Sequence, residues 1–500
     1  MRAVSRRALM CSGFSLALDS VAVAQSSAVV SPERFGAIGD GRSHPLSSRF
    51  ATLAEARAVY PFAKSLDQEI DLCAWQAAIL SSGRVRAAPG REYVFCRDEF
   101  WPVRDGRALS GDPSGFPHLF ITQDRSRFLP CPGVVVIDGQ GCTIRNGQLG
   151  IHHHRGSGEI RDVHFKDMIS STTPNPAAGP RARKAVHFLF RWFGLANWTF
   201  TRCRWSSPRL PRDADESLGW LRSRPLHGFT NENITFDRCR FDGRTEIDLW
   251  GGRNYRFLNC SRPFGGYDDG ITAKTAGERD DRSHDGFTGD VDGVLISGGT
   301  WSGCDALFVA GSDMRWTTRN VRIENVVLDQ VGSVWLLKPD GRGSARDSGG
   351  VVENVVAENV TLSDPAGARY TSAFQFTTGR ARAGQRAGTV RNCRARNVRI
   401  VARGRGGNGW RHRVVTWNPL DGLGRIASID IEVSYEDPWA GRLKGRGGAR
   451  GEPLFELVGT DVNADRLAPD SAVDCRLLVH ALRAPAPTGN RDRRWRVGRS

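Results

Sequence analysis

Asn254 to Cys260 read NYRFLNC, and this seven-residue pattern, polar-x-x-apolar-x-polar-small apolar, recurs along the chain. It returns at Asn197 (NWTFTRC), Asn233 (NITFDRC), Asn320 (NVRIENV), Asn354 (NVVAENV) and Asn392 (NCRARNV), with looser copies at Ser157 (SGEIRDV) and Gly293 (GVLISGG). Successive starts lie 40, 36, 21, 39, 27, 34 and 38 residues apart. A fixed unit separated by insertions of unequal length is the signature of a solenoid, in which each coil packs only on its neighbours. Within each copy apolar residues alternate, the period of a β-strand. Asparagine at the first position suits a left-handed corner, and identical asparagines one coil apart can hydrogen-bond as a ladder. The pattern predicts an all-β fold, a right-handed single-stranded parallel β-helix over residues 31–480. The signatures of leucine-rich and propeller repeats are absent.

Outward from the repeat, residues 51–58 and 70–80 read as helices. Ile70, Leu72, Cys73, Ala77 and Leu80 approximate one apolar face, suited to closing the open end of a solenoid core. Residues 1–24 place Arg2, Arg6 and Arg7 before a weakly apolar run that ends in Ala22-Val23-Ala24, the layout of an export signal. That layout predicts a secreted or periplasmic protein. No later stretch approaches the ~20 apolar residues of a membrane span, so a soluble chain without a membrane partner is expected. Residues 481–500 read as a basic disordered tail.

Eleven cysteines in an exported chain would ordinarily suggest disulfides. Here Cys203, Cys239, Cys260 and Cys393 fall inside the repeat, where a small apolar side chain serves an interior, so stacked thiols are expected instead. No CxxC pair signals structural zinc. The sequence implies no metal site and no cofactor. The run His152-His153-His154 reads as solvated, since three consecutive strand residues cannot face one ion. Asp280, Asp281, Asp285, Asp290 and Asp292 lack the spacing of a known calcium loop. The fourteen tryptophans read mainly as core and inter-coil residues. The net charge of +16 comes largely from scattered arginine. It favours an acidic partner. Neither a basic face interleaved with aromatics nor a known reading module supports nucleic acid, and an anionic polysaccharide fits an exported basic chain better. Solvated arginines in an arginine-rich chain account for the charge equally well. Nothing in the sequence bears on oligomeric state.

The segment Phe35-Gly36-Ala37-Ile38-Gly39-Asp40-Gly41, followed by a helix carrying Trp75-Gln76-Ala77-Ala78-Ile79, resembles the opening of the pectate-lyase-like β-helix superfamily. The residues between the two parts form a longer insertion than usual. Gly266 to Thr275 (GYDDGITAKT) resembles the glycoside hydrolase family 28 (polygalacturonase-like) pattern GDDC followed by IAIKS. One coil earlier, Arg244-Thr245-Glu246-Ile247-Asp248 stands where that family has an NTDGID segment. Lys338, in Leu336-Leu337-Lys338, stands where the family carries the lysine of its arginine-lysine pair, and Leu336 replaces the arginine. Gly303-Cys304-Asp305 stands in place of the family's GHG. His284 is the only histidine between Asp269 and Lys338.

Glycoside hydrolysis needs one carboxylic acid to protonate the leaving oxygen and one carboxylate to activate water or attack the sugar. Adjacent carboxyls suit this because they cannot readily both ionise. Strand alternation puts Ile247 and Leu249 inward with Glu246, Asp248 and Trp250 outward, and Ile271 and Ala273 inward with Asp268, Thr272 and Lys274 outward. Asp269 has the opposite parity. The resemblance implies Asp269 as general acid, Asp268 with Glu246 or Asp248 holding water, and inversion at the anomeric carbon. Lys338, Lys274, Trp250, Tyr267, Asp305 and His284 are the candidate substrate contacts. Asp-Asp-Gly is also ordinary turn chemistry. The sequence therefore predicts an exported enzyme hydrolysing a polysaccharide. A polysaccharide lyase or epimerase on the same fold is the alternative, and a tailspike-like binding protein is a third class.

Overall fold

The computed structural model describes residues 28–96, 103–104, 107–108, 118–123, 129–166, 187–206, 216–222, 230–242, 247–263, 269–275, 289–311, 314–339, 349–363, 372–378, 387–401, 413–419, 424–436, 455–457, 472–481 and 495–499. Two sheets dominate, one of 19 strands and one of 11, and the pairings within both are parallel. Chain order alternates between them. Ala196–Thr201 and Arg204–Ser206 lie in the first sheet and Glu216–Arg222 in the second; the next coil repeats this with Glu232–Asp237, Arg240–Asp242 and Ile247–Trp250. The architecture is a right-handed parallel β-helix, the hand that parallel crossovers take.

Two left-handed corners per coil explain the repeat. The first asparagine of each copy has φ near +57°: Asn197, Asn233, Asn254, Asn320, Asn354 and Asn392. Five residues on, Arg202, Arg238, Asn259, Asn325, Asn359 and Asn397 also have positive φ, between 49° and 56°. In the strand Val351–Ser363, burial alternates but restarts after exposed Asn354 and Asn359, so Val355 and Val360 both point inward. Each corner inserts one residue and rotates the strand direction without exposing the core. The asparagines form the expected ladder. Asn233 Nδ2 donates to Asn197 Oδ1 at 2.8 Å, Asn254 to Asn233 at 2.9 Å, and Asn354 to Asn320 at 3.2 Å. A second ladder, unforeseen from the sequence, joins Asn397 to Asn359 at 2.6 Å and Asn359 to Asn325 at 3.1 Å.

Inward positions stack in columns. Phe200, Phe236 and Phe257 stack with centroids 5.0 and 5.1 Å apart. Each of the ten described cysteines is buried, in agreement with stacked thiols. The helices Leu53–Val59 and Ile70–Ser82 precede the coils. Asp71, in the second, accepts main-chain N–H bonds from Ile38 (2.6 Å), Gly39 (3.2 Å) and Val94 (3.1 Å). One buried carboxylate thus ties the Gly36–Gly39 turn to the cap and to the first coils. Among the described residues no helix is long and apolar enough to cross a membrane.

Two expectations are corrected. His153 and His154 are buried rather than solvated, and His154 Nε2 lies 3.0 Å from the carbonyl of Pro132. Burial holds the His154 pKa below its ordinary value. Trp495–Arg499, inside the stretch expected to be a disordered tail, pairs in parallel with Ala472–Ala481. The acidic positions Asp290 and Asp292 serve the ladder: Asp292 pairs with Arg319 (3.0 Å) and accepts from Asn320 (2.7 Å).

Candidate active site

The second sheet sets the parity. Ile247 and Leu249, Ile271 and Ala273, Phe308 and Ala310, and Trp335 and Leu337 all belong to the core. Their alternates point outward in register: Asp248 opposite Thr272, which is opposite Val309, then Leu336. Trp250 is opposite Lys274 in the neighbouring column. The Lys274 Nζ lies 2.8 Å from Asp248 Oδ1, with Asp248 2% and Lys274 15% exposed at the side chain. The same ammonium lies 5.3 Å from the centre of the Trp250 ring. Trp250 is itself buried. Lys274 thus lies over the ring in a cation–π contact.

Lys338 follows its strand in the column of Lys274, separated by Gly311. Its N–H donates to the Ala310 carbonyl at 2.8 Å. A Cβ on Gly311, whose φ is +122°, would lie 2.1 Å from the Lys338 carbonyl oxygen and 2.7 Å from its Cγ. Only glycine lets the Lys338 coil approach so closely.

Asp269 and Gly270 immediately precede the strand Ile271–Lys274. Gly270 donates to the Ala306 carbonyl (2.7 Å) and accepts from Ile247 N–H (2.9 Å), so its main chain is bonded to coils on both sides. A Cβ at Gly270 would stand 2.6 Å from the Leu307 carbonyl oxygen. The glycine is needed for that approach, beyond ordinary turn preference. Asp269 and Asp305 are buried, 5% and 4% exposed.

Arg262 was not foreseen. It is fully buried, and its Nη1 donates to the main-chain oxygen of Asp269 at 2.7 Å. Its column otherwise contains Phe165, Trp205 and Phe241 before it and Trp301, Leu328, Leu362 and Ile400 after it. The signal was present in the sequence: the second residue after the repeat's final position is Trp205, Phe241, Arg262, then Trp301. Burial pushes the neighbouring Cys304 thiol up to about 12; Arg262 opposes that shift, while Asp269 and Asp305 reinforce it. Glu246, Tyr267, Asp268 and His284 lie outside the described residues.

No protein-family model and no curated protein matches the chain. Solved structures do show likeness. The exopolygalacturonase of Thermotoga maritima aligns with a TM-score of 0.47 and 14% identity, over 88% of this chain and 92% of that one. The tailspike protein of Pseudomonas phage LKA1 aligns at 0.34 and 16%, over 90% and 70%. The A-module of a mannuronan C-5 epimerase from Azotobacter vinelandii aligns at 0.27 and 12%, over 94% and 97%. The chain is a parallel β-helix. That statement rests on the register of its own sheets, to which likenesses of this degree add nothing.

Proposed function

We propose that the chain is a carbohydrate-active enzyme that hydrolyses glycosidic bonds of a polysaccharide at the outer edge of the second sheet. The observation that carries this reading is the set Asp248, Asp269 and Asp305, three carboxyls on three successive coils, each at most 5% exposed. Burying carboxyls opposes folding unless each is paired or neutralised, and a concentration of them on neighbouring coils is the kind of site that acid–base chemistry uses. Asp269 is the general acid in this reading. Asp248, 2.8 Å from the Lys274 ammonium, and Asp268 hold the attacking water. As the water oxygen bonds to the anomeric carbon, its proton passes to the base. The bond to the leaving oxygen breaks, and that oxygen takes the proton of the acid. Lys338 contributes a cation for a substrate carboxylate or hydroxyl. An acidic polysaccharide suits the net charge of +16, and the export layout of residues 1–24 suits action outside the cytoplasm.

Release of reducing ends across acidic plant and bacterial polysaccharides tests the proposal. Cleavage that falls with Asp269→Asn supports it, whereas binding without cleavage on every glycan would replace it with a glycan-binding role. The lysines of the outer column favour one second reading, proton abstraction beside a uronate carboxylate. Its mark is an unsaturated product absorbing in the ultraviolet.

A further inference from the structure

We propose that Gln375, Thr377, Thr416 and Asn418 form a glycan-binding strip on the outer face of the second sheet, one and two coils beyond Lys338, that takes sugar hydroxyls rather than carboxylates. Which sugar chain it serves rests on the hydrolase reading above; the binding itself does not.

The strands Ser333–Leu337, Ser372–Thr378 and Arg413–Pro419 follow one another in the second sheet. Trp335 and Leu337, Phe374 and Phe376, and Val415 and Trp417 belong to the core, so Gln375, Thr377, Thr416 and Asn418 face outward. Gln375 is opposite Leu336 on one side and Thr416 on the other. Thr377 is opposite Asn418. The register of Leu337 with Phe376, carried one residue further, sets Thr377 beside Lys338. The strip therefore continues the two columns that hold Asp248 and Lys274. Gln375 is the fourth step from Asp248 along the stack, roughly 19 Å at about 4.8 Å per coil. Leu336 is 3% exposed, whereas Lys338 and the four strip residues are all partly exposed. The accessible path along this face thus runs from Lys338 onto the strip.

The groups beneath Gln375 set this face apart from an ordinary solvated one. Ser333 Oγ, fully buried, donates to the Ser372 carbonyl at 2.6 Å. With its one proton used, it can offer Gln375 only a lone pair, so the amide nitrogen is the atom that meets it, at 2.6 Å. The same Nε2 lies 3.5 Å from the Ser372 carbonyl. Ser372 Oγ in turn bonds Thr416 Oγ1 and fixes the hydroxyl of the next coil. Buried hydroxyls are costly unless bonded, and a glutamine that met only water would not need two of them, Ser333 and Ser372 at 0% and 2% exposure, to hold it. Their effect is to set the amide with its nitrogen engaged and Oε1 left as an acceptor. An acceptor so held selects a donor: a sugar hydroxyl supplies one and an ionised carboxylate does not. Thr377 and Asn418 form no side-chain hydrogen bond among the described residues. Both can donate and accept, on strands fixed by the core below. The face thus passes from a cation at Lys338 to neutral groups beyond it, an order that suits an acidic sugar followed by further rings held through their hydroxyls.

The test is native affinity electrophoresis of the full-length chain in gels containing polygalacturonate, alginate or dextran, with thermal melting to establish that each variant folds. The wild type is expected to be retarded by at least one polymer. Asn418→Leu and Gln375→Met should each bind that polymer at least about fivefold more weakly, the loss of one neutral hydrogen bond. Asn418→Leu removes no bond within the described protein, so it decides the matter even if Gln375→Met fails to fold. Unchanged retardation of folded Asn418→Leu, or a wild type that none of the polymers retards, overturns the strip. Retardation that weakens in the strip variants while the wild type cleaves no polymer sustains the strip and removes the hydrolase reading. Cleavage that falls in Asp269→Asn, with retardation and KM untouched in the strip variants, sustains the hydrolase reading and removes the strip.

Discussion

At the scale of single residues, the Lys274–Asp248 pair carries a clear energetic signature. Removing one partner of a buried ion pair leaves the other uncompensated, at a cost of about 3 kcal/mol or more. Lys274→Met should therefore lower unfolding free energy by about that amount, while Lys274→Met with Asp248→Leu recovers most of it. Urea denaturation of the four members of the cycle measures this; equal losses in the single and double variants would mean the pair is a surface contact of little weight. His164 gives a prediction in pH. Its Nε2 lies 2.7 Å from Ser206 Oγ. Burial first, then Arg204 and Lys166, push its pKa down to about 4. The folded value lies below the unfolded value near 6.5. The neutral ring therefore contributes stability fully above about pH 6.5, and that contribution is lost as pH falls through about 4. His164→Gln should flatten the stability profile between those limits, and a profile unchanged by the substitution would refute the assignment.

At the scale of elements, the corners decide whether strands stay in phase. Asn354 has φ +57° and bonds to Asn320 (3.2 Å) and from Asn392 (3.3 Å). Alanine there loses both bonds and meets the steric cost of the left-handed region, about 2 kcal/mol together. Glycine loses the bonds but not the conformation, so Asn354→Gly should be milder than Asn354→Ala by about 1 kcal/mol. Denaturant midpoints for the two decide it, and equal losses would sink the corner account. The first corner was legible in the sequence because asparagine recurs at one fixed position. The second was harder to see, since arginine fills it at Arg202 and Arg238 and glycine at Gly298. Arginine is not a residue from which one reads a left-handed corner; the shared backbone geometry imposes it.

At the scale of the whole molecule, coil stacking explains which parts of the candidate site could be read in advance. Asp248, Trp250, Thr272 and Lys274 fell on the outward side because period-two alternation holds within one strand. Their burial could not be read, because enclosure of an outer face depends on chain segments distant in sequence. Asp305 stood at the position marked by resemblance, yet its burial follows only when neighbouring coils are stacked. The excess positive charge has a similar history. Many arginines on the first sheet are matched by carboxylates along the stack, as in Arg391 with Glu353 (2.6 Å) and Arg319 with Asp292 (3.0 Å). Exposed pairs of this kind contribute about 0–1 kcal/mol each. They keep coils in register more than they stabilise them. The proposed hydrolysis turns on Asp269. The direct measurement is reducing-end release from a cleaved polysaccharide by the wild type and by Asp269→Asn at equal concentration. It predicts a fall of about 100-fold or more with melting temperature preserved; undiminished release by a folded Asp269→Asn variant would contradict it.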